Sequence, residues 1–441
     1  MGNGYNSGRQ PRRAPAREEN GRGEPRNAER KPQVRKPQKQ SGMVQLHGRA
    51  LRLYNKEKSW EQGEKHIERI NRGLDRPMLA IIFVILCLGT IMVFSASFPS
   101  AYLDHDGNSM YYLQRQIVFA VIGIAGMFIL SCFPYNLYKK LTPSLYILAI
   151  VLLLVVLVIG TSRGVAQRWI RVGGFTFQPS EVGKIAVVMM LAWYFDKNYD
   201  KIRARRTKKE TILFGVIYPA VIFGIICGLV LLERHLSGTI IIAMIAVCVI
   251  FLGGAHVGYL AGIYAAAGAL LGTVYLATNS YAFQRILTHL DENADALAED
   301  WQTTQGIYAI GSGGLLGVGL GDSRLKYNYV SEPQNDFIFT IWCEEMGFVG
   351  AAIVVLLYCA FVWRGFVIAK KAPDTFTSLV AFGITCQVGI QAFLNMMVVC
   401  DLIPNTGISL PFFSYGGSAL IILLWEMGIL LGISRHSYQK K

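Results

Sequence analysis

Ten apolar runs follow one another along the chain, at 79–97, 117–132, 145–160, 180–195, 212–232, 238–254, 257–277, 337–362, 375–400 and 415–433. Seven of them, the long runs 79–97, 212–232 and 257–277 included, contain no Lys, Arg, Asp or Glu. A run of roughly 18 or more apolar residues crosses the hydrocarbon core of a bilayer as a helix. The pattern predicts an all-α polytopic membrane protein, with ten transmembrane helices over 78–434 and a long extracytoplasmic loop, 278–336, between the seventh and the eighth.

The flanks differ in kind. Residues 1–48 are rich in Arg, Lys, Pro, Gly, Gln and Asn, a composition that cannot bury enough surface to offset chain entropy, and they read as a disordered basic tail. In 49–77, Trp60, Ile67, Ile70 and Leu74 share one helical face, which suits an interfacial helix; a solvated helix is the competing reading. A short tail, 435–441, follows the last run.

Charge then orients the chain. Of 441 residues 16% are charged, against about 25% in a soluble domain. The net charge of +14 is concentrated before residue 78, where nineteen Lys and Arg face nine Asp and Glu. Further basic clusters at Lys139–Lys140, 196–210, Arg364–Lys371 and Lys440–Lys441 fall on the same side, which places both termini in the cytoplasm by the positive-inside rule. The excess charge is thus expected to meet membrane lipids, not nucleic acid. The eight cysteines lie mostly inside apolar runs without CxxC spacing, so neither a zinc site nor a disulfide framework is indicated.

Two outer segments break the charge pattern. Residues 161–179 carry Arg163, Arg168 and Arg171 and no acid, whereas 278–336 carries eight Asp and Glu against three basic residues. After the first comes Gln178-Pro179-Ser180-Glu181-Val182-Gly183-Lys184, where Ser180 is expected to cap a helix and Glu181 and Lys184 share one face at membrane depth. Buried charges there face a cavity or each other. With Arg168 above them, they suit a pyrophosphate, whose charge fixed cations offset. A structural ion pair is the alternative.

The long loop holds Asp291, Asp295 and Asp300, any of which could act as a base by spacing alone, then Gln305 and a glycine run to Lys326. The glycines match neither nucleotide-loop spacing and read as a tight turn packed on the bundle. Glu344 and Glu345, in a later apolar run, are expected to pair with Lys326 or an arginine. Pro404-Asn405-Thr406-Gly407 and Leu410-Pro411-Phe412-Phe413-Ser414-Tyr415-Gly416-Gly417-Ser418 read as shaped backbone lining a cavity.

At QRWI…QPSEVGK, QGIYAIGSGGLLGVGLGDSRLKYNY, EPQNDFIFTIWCEEMG and PNTGISLPFFSYGGS the chain resembles the SEDS family (shape, elongation, division and sporulation), and its FtsW and SpoVE branches more than RodA. The resemblance implies a ten-helix peptidoglycan glycosyltransferase of the bacterial cytoplasmic membrane that polymerises lipid II at the outer face, inverting at the anomeric carbon and releasing undecaprenyl pyrophosphate. It implies Asp295 as the catalytic base, and Arg168, Glu181 and Lys184 as substrate-binding groups, with Gln178, Ser180, Gln305, Lys326 and Ser414 from the same motifs. It also implies a class B penicillin-binding protein as partner, with other divisome proteins. A divalent cation, magnesium or manganese, is the one cofactor it suggests. The chain departs from the pattern at Glu292 and Ala296, where relatives carry Pro, and at Glu233-Arg234-His235-Leu236-Ser237-Gly238-Thr239, which varies E-P-D-L-G-T. A lipid II flippase is the rival reading, because buried charges also line translocation paths.

Overall fold

The computed structural model describes residues 73–163, 166–172, 175–204, 208–278, 301–327, 329–330 and 332–436, all within the compact unit His66–Lys441. The expected tail 1–48, most of the expected interfacial helix 49–77, the C-terminal residues 437–441 and Asp291, Asp295 and Asp300 lie outside the described residues.

Three helices open the bundle: α1 (Arg76–Asp104), α2 (Tyr111–Ser131) and α3 (Tyr135–Ile159). A three-stranded antiparallel meander follows, β1 (Thr161–Arg163), β2 (Ala166–Val172) and β3 (Phe175–Phe177), with β2 central. Then come α4 (Pro179–Lys197), α5 (Tyr199–Ala204), α6 (Lys208–Ile212), a π-helical turn Leu213–Ile217 that runs into α7 (Tyr218–Leu232), α8 (Leu236–Leu252) and α9 (Val257–Thr278). The chain closes with α10 (Trp301–Ser312), α11 (Ile338–Lys370), α12 (Thr375–Val399) and α13 (Gly417–Arg435).

Each predicted run coincides with helix. Among the described residues seven helical stretches are long and apolar enough to cross a membrane: α1, α2, α3, Lys209–Leu232, α11, α12 and α13. The other three expected crossings fall on α4, which carries Glu181 and Lys184, on α8, with 17 residues, and on α9. The meander is the departure from an all-helical chain. In its register Ile170 lies opposite Phe177 and Arg171 opposite Thr176.

Local chemistry sets the helix ends. Asp75 caps α1 by accepting from the Met78 N–H at 3.0 Å, and its carboxylate also holds Arg364 of α11 at 2.6 Å. Asp374 and Thr377 form a reciprocal capping box at the start of α12. Burial separates inner from outer helices: 83% of the most apolar stretch of α13 is buried, against 22% for α2. Ile117, Val118 and Val121 of α2 and Ile147, Leu148 and Val151 of α3 are exposed, as lipid-facing positions must be. Small residues let α2 and α13 approach closely. A Cβ on Gly428 would meet the Met127 carbonyl oxygen at 2.5 Å, and one on Gly123 would meet Leu424 at 2.4 Å.

The glycine run is built into α11. The N–H groups of Val318 and Gly319 donate to the carbonyls of Glu344 and Glu345 at 3.0 and 3.1 Å, and Phe348 and Val349 donate back to Gly314 and Leu315. Helix α11 breaks at Gly347, which takes φ 63° and ψ −165°. A Cβ at Gly317 would lie 2.0 Å from the Glu345 carbonyl oxygen, so two backbones touch where only glycine fits. The tight turn packed on the bundle is therefore present in detail.

Candidate active site

A cavity of about 320 Å³ opens where β2, the start of α4, the start of α8, the segment before α11 and the segment before α13 converge. Its wall includes Arg168, Gln178, Ser180, Glu181, Lys184 and His235. Lys184 Nζ lies 2.7 Å from Glu181 Oε2 and donates to Gln391 Oε1 of α12 at 3.0 Å. Gln391 in turn donates to the Ser409 carbonyl at 3.0 Å. The lysine is 5% exposed, so its charge is held inside the bundle by one carboxylate and one amide.

Helix α4 starts differently from expectation. Gln178 is its N-cap residue and Pro179 its first helical position, so Ser180 stands inside the first turn and does not cap. Its hydroxyl accepts from Gln178 Nε2 at 3.0 Å, while the Gln178 N–H donates to Ser418 of α13 at 3.1 Å. These bonds fix the strand-to-helix turn that sets Arg168 above Lys184.

The opposite wall carries Glu332, Asn335 and Asp336. Asn395 of α12 donates to the carbonyls of Asp336 (2.8 Å) and Ile408 (2.6 Å), and Ser414 donates to the Asn335 carbonyl at 2.7 Å. Two loop segments are thereby stitched to one helix. Burial, followed by Glu332, pushes the Asp336 carboxyl up to about 6, with Arg168 pulling the other way. Burial pushes Glu233, in the turn before α8, up to about 8, again opposed by Arg168. Burial, then Arg168 and Lys184, push the neighbouring His235 down to about 3. At neutral pH the imidazole is uncharged and Glu233 largely so, which leaves Arg168 and Lys184 facing Glu181, Glu332 and Asp336.

Three of the sequence-predicted residues that the structure describes do not line this cavity. Lys326 is 3% exposed and bridges Glu345 Oε1 at 3.2 Å, with the Gly321 carbonyl as a second partner. It pins the glycine run and does not line the cavity. Ser414 spends its hydroxyl on Asn335 and on the Leu410 N–H, and borders a smaller neighbouring pocket. Gln305 of α10 does not line the cavity, and Asp295 is outside the described residues. The pairing expected for Glu345 is present. Glu344 is satisfied instead by Ser323 and the N–H groups of Arg324 and Leu325.

Sequence reasoning missed Gln391 and Asn395. Their signal was polar spacing in an apolar run: Gln387, Gln391 and Asn395 stand four apart on one face of α12. Among the described residues no three His, Cys, Asp or Glu side chains come together to hold a metal.

Arg168 and Lys184 thus share the cavity wall with Glu181, Glu332 and Asp336. A family model described as "Cell cycle protein" (FtsW, RodA, SpoVE) matches residues 76–439. The chain belongs to the FtsW/RodA/SpoVE family. Stage V sporulation protein E of Bacillus subtilis (strain 168) is 37% identical over 369 residues, covering 82% of this chain and 97% of that one. A "Probable peptidoglycan glycosyltransferase FtsW" of Geobacter sp. (strain M18) is 36% identical over 367 residues, with the same coverage. Among solved structures, a chain from "Structural coordination of polymerization and crosslinking by a peptidoglycan synthase complex" superposes with a TM-score of 0.68 at 27% identity, covering 82% of this chain and 98% of that one. The Thermus thermophilus rod shape determining protein RodA gives 0.60 at 26% identity, covering 83% and 98%. This FtsW/RodA/SpoVE-family chain is thus a multi-pass membrane protein with its relatives' helical fold.

Proposed function

We propose that this chain is a peptidoglycan glycosyltransferase, working with ten crossings and both termini in the cytoplasm. It joins lipid II units at the outer face of the cytoplasmic membrane of a bacterium, in division or sporulation. The observation that carries this reading is the cavity in which Arg168 and Lys184 converge under the meander. The 4-hydroxyl of one lipid-linked disaccharide attacks the anomeric carbon of another; the new C–O bond forms as the bond to pyrophosphate breaks, with inversion. Asp295, assigned from the family motif, takes the hydroxyl proton. Arg168 and Lys184, the latter oriented by Glu181 and Gln391, offset charge on the departing pyrophosphate. Energy comes from the donor's pyrophosphate linkage, so no nucleotide is required. A magnesium or manganese ion, carried by the pyrophosphate, would supply further charge neutralisation there.

The partner in this reading is a class B penicillin-binding protein, within a wider set of divisome proteins. A structural relative described as part of a peptidoglycan synthase complex that coordinates polymerisation with crosslinking supports that assignment. The test is lipid II given to the purified chain with its transpeptidase partner. Glycan strands are expected from the wild type and none from Asp295→Asn. Normal strand growth by the variant overturns the base assignment. Movement of lipid II across the bilayer without polymer would favour a flippase.

A further inference from the structure

His235 stands at a position where the chain departs from its family. The family's turn reads E-P-D-L-G-T, and here Glu233-Arg234-His235-Leu236 puts an imidazole in the place of the Asp. The ring lines the cavity, is 8% exposed, and its Nδ1 has no hydrogen-bond partner. Space beside that nitrogen is kept by Gly238, which lines the same cavity: a Cβ there would lie 2.6 Å from both Nδ1 and Cε1. Helix α8 begins one residue later, and the N-terminus of a helix favours an anion.

The charged and titratable groups around it come from every neighbouring element. Arg168 is on β2, Glu181 and Lys184 on α4, Cys227 on α7, Glu233 in the same turn, and Glu332 and Asp336 before α11. Replacing a family carboxylate by an imidazole removes one negative charge from this set.

We propose that His235 is a pyrophosphate-binding residue, which meets a diphosphate oxygen beside Arg168 and Lys184 and takes up a solvent proton as the diphosphate binds. This rests on the reading that the cavity receives the pyrophosphate of a lipid-linked donor. Burial first, then Arg168 and Lys184, keep the imidazole neutral; a diphosphate offsets both cations and gives the unpartnered Nδ1 an acceptor when the ring is protonated. The protonated ring then adds a charge-assisted hydrogen bond. When the diphosphate departs, the proton returns to solvent and the ring is reset.

Inorganic pyrophosphate is the probe, titrated calorimetrically into the purified full-length chain in buffers of different ionisation heat. The wild type is expected to take up about one more proton per pyrophosphate at pH 7 than His235→Asn. Its affinity advantage over that variant is expected to be roughly tenfold at pH 6.5 and less than about threefold at pH 8.5. His235→Asp, which restores the family residue and so should fold, is expected to bind more weakly at both pH values. Equal proton uptake in the wild type and a monodisperse His235→Asn, or in the wild type and His235→Asp should the first aggregate, overturns the proposal, as does no binding by the wild type. Lipid II polymerisation by the wild type is measured separately. Proton-linked binding without polymerisation removes the transferase reading and leaves the His235 site. Polymerisation with binding indifferent to His235 removes the site alone.

Discussion

The Lys184 ammonium lies 2.7 Å from the Glu181 carboxylate, one helical turn apart on α4 at the cavity wall. The two are unequal. Glu181 has a side-chain exposure of 14% and Lys184 only 6%, so the acid can be hydrated while the lysine depends on its partners.

Lys184→Met should therefore keep the fold, since the remaining carboxylate can reach water, but lose at least about a hundredfold in polymerisation, the usual cost of deleting one preorganised charge from a transfer site. Glu181→Gln should lose about tenfold, because Gln391 still holds the lysine. Strand formation from lipid II measures both. Full activity in Lys184→Met would show the pair to be a helix lock and no more.

Lys326→Met should act on stability first. It leaves Glu345, at 0% exposure, with only Ser95 as a side-chain partner, and removing one member of a buried pair costs about 3–5 kcal/mol. The double variant Lys326→Met with Glu345→Gln should recover much of this, because no unpaired charge remains. Thermal unfolding of the three proteins in detergent checks the expectation.

The pair also shows how far the sequence could be read. Apolar runs located the ten long helices of the bundle but not the short α5 and α10, and a carboxylate and a lysine three apart announced the Glu181–Lys184 pair, because helical neighbours are a matter of spacing. Lys326 was drawn toward the substrate by its motif, but its partner stands 19 residues on, and only tertiary packing shows that the pairing consumes it. Gln391 and His235 were illegible for the same reason: a neutral side chain on an apolar helix, or at a turn, gains its role from groups 51 to 207 residues away. The meander was missed because its strands are three to seven residues long and lie between two spans.

Gly317→Ala should destabilise by about 2 kcal/mol or more, since φ is +82° and the new Cβ would meet the Glu345 carbonyl oxygen at 2.0 Å. Limited proteolysis should then cut the 313–321 segment, which the wild type protects. Unchanged protection would mean that the backbone contact is dispensable.

Stability should fall between pH 6.5 and 8. Glu233 is held protonated when folded, up to about 8, whereas in the unfolded chain its carboxyl ionises in the ordinary range near 4.5. Its contribution is fully present below the unfolded value and is lost as pH rises through the folded one. Over that one and a half pH units the loss is about 2 kcal/mol. His235, held low, acts in the opposite sense only between about 3 and 6.5, and so is silent in this window. Chemical denaturation across the range should slope downward for the wild type and run flat for Glu233→Gln.

The break at Gly347 turns α11 into two rods on a common bearing. The first rod continues directly from the Glu332–Asp336 wall, and the glycine run bridges the break, with two main-chain hydrogen bonds to Glu344 and Glu345 before it and two from Phe348 and Val349 after it. The kink is thus braced from outside the helix, and a side chain added to that run would loosen both halves of α11 at once.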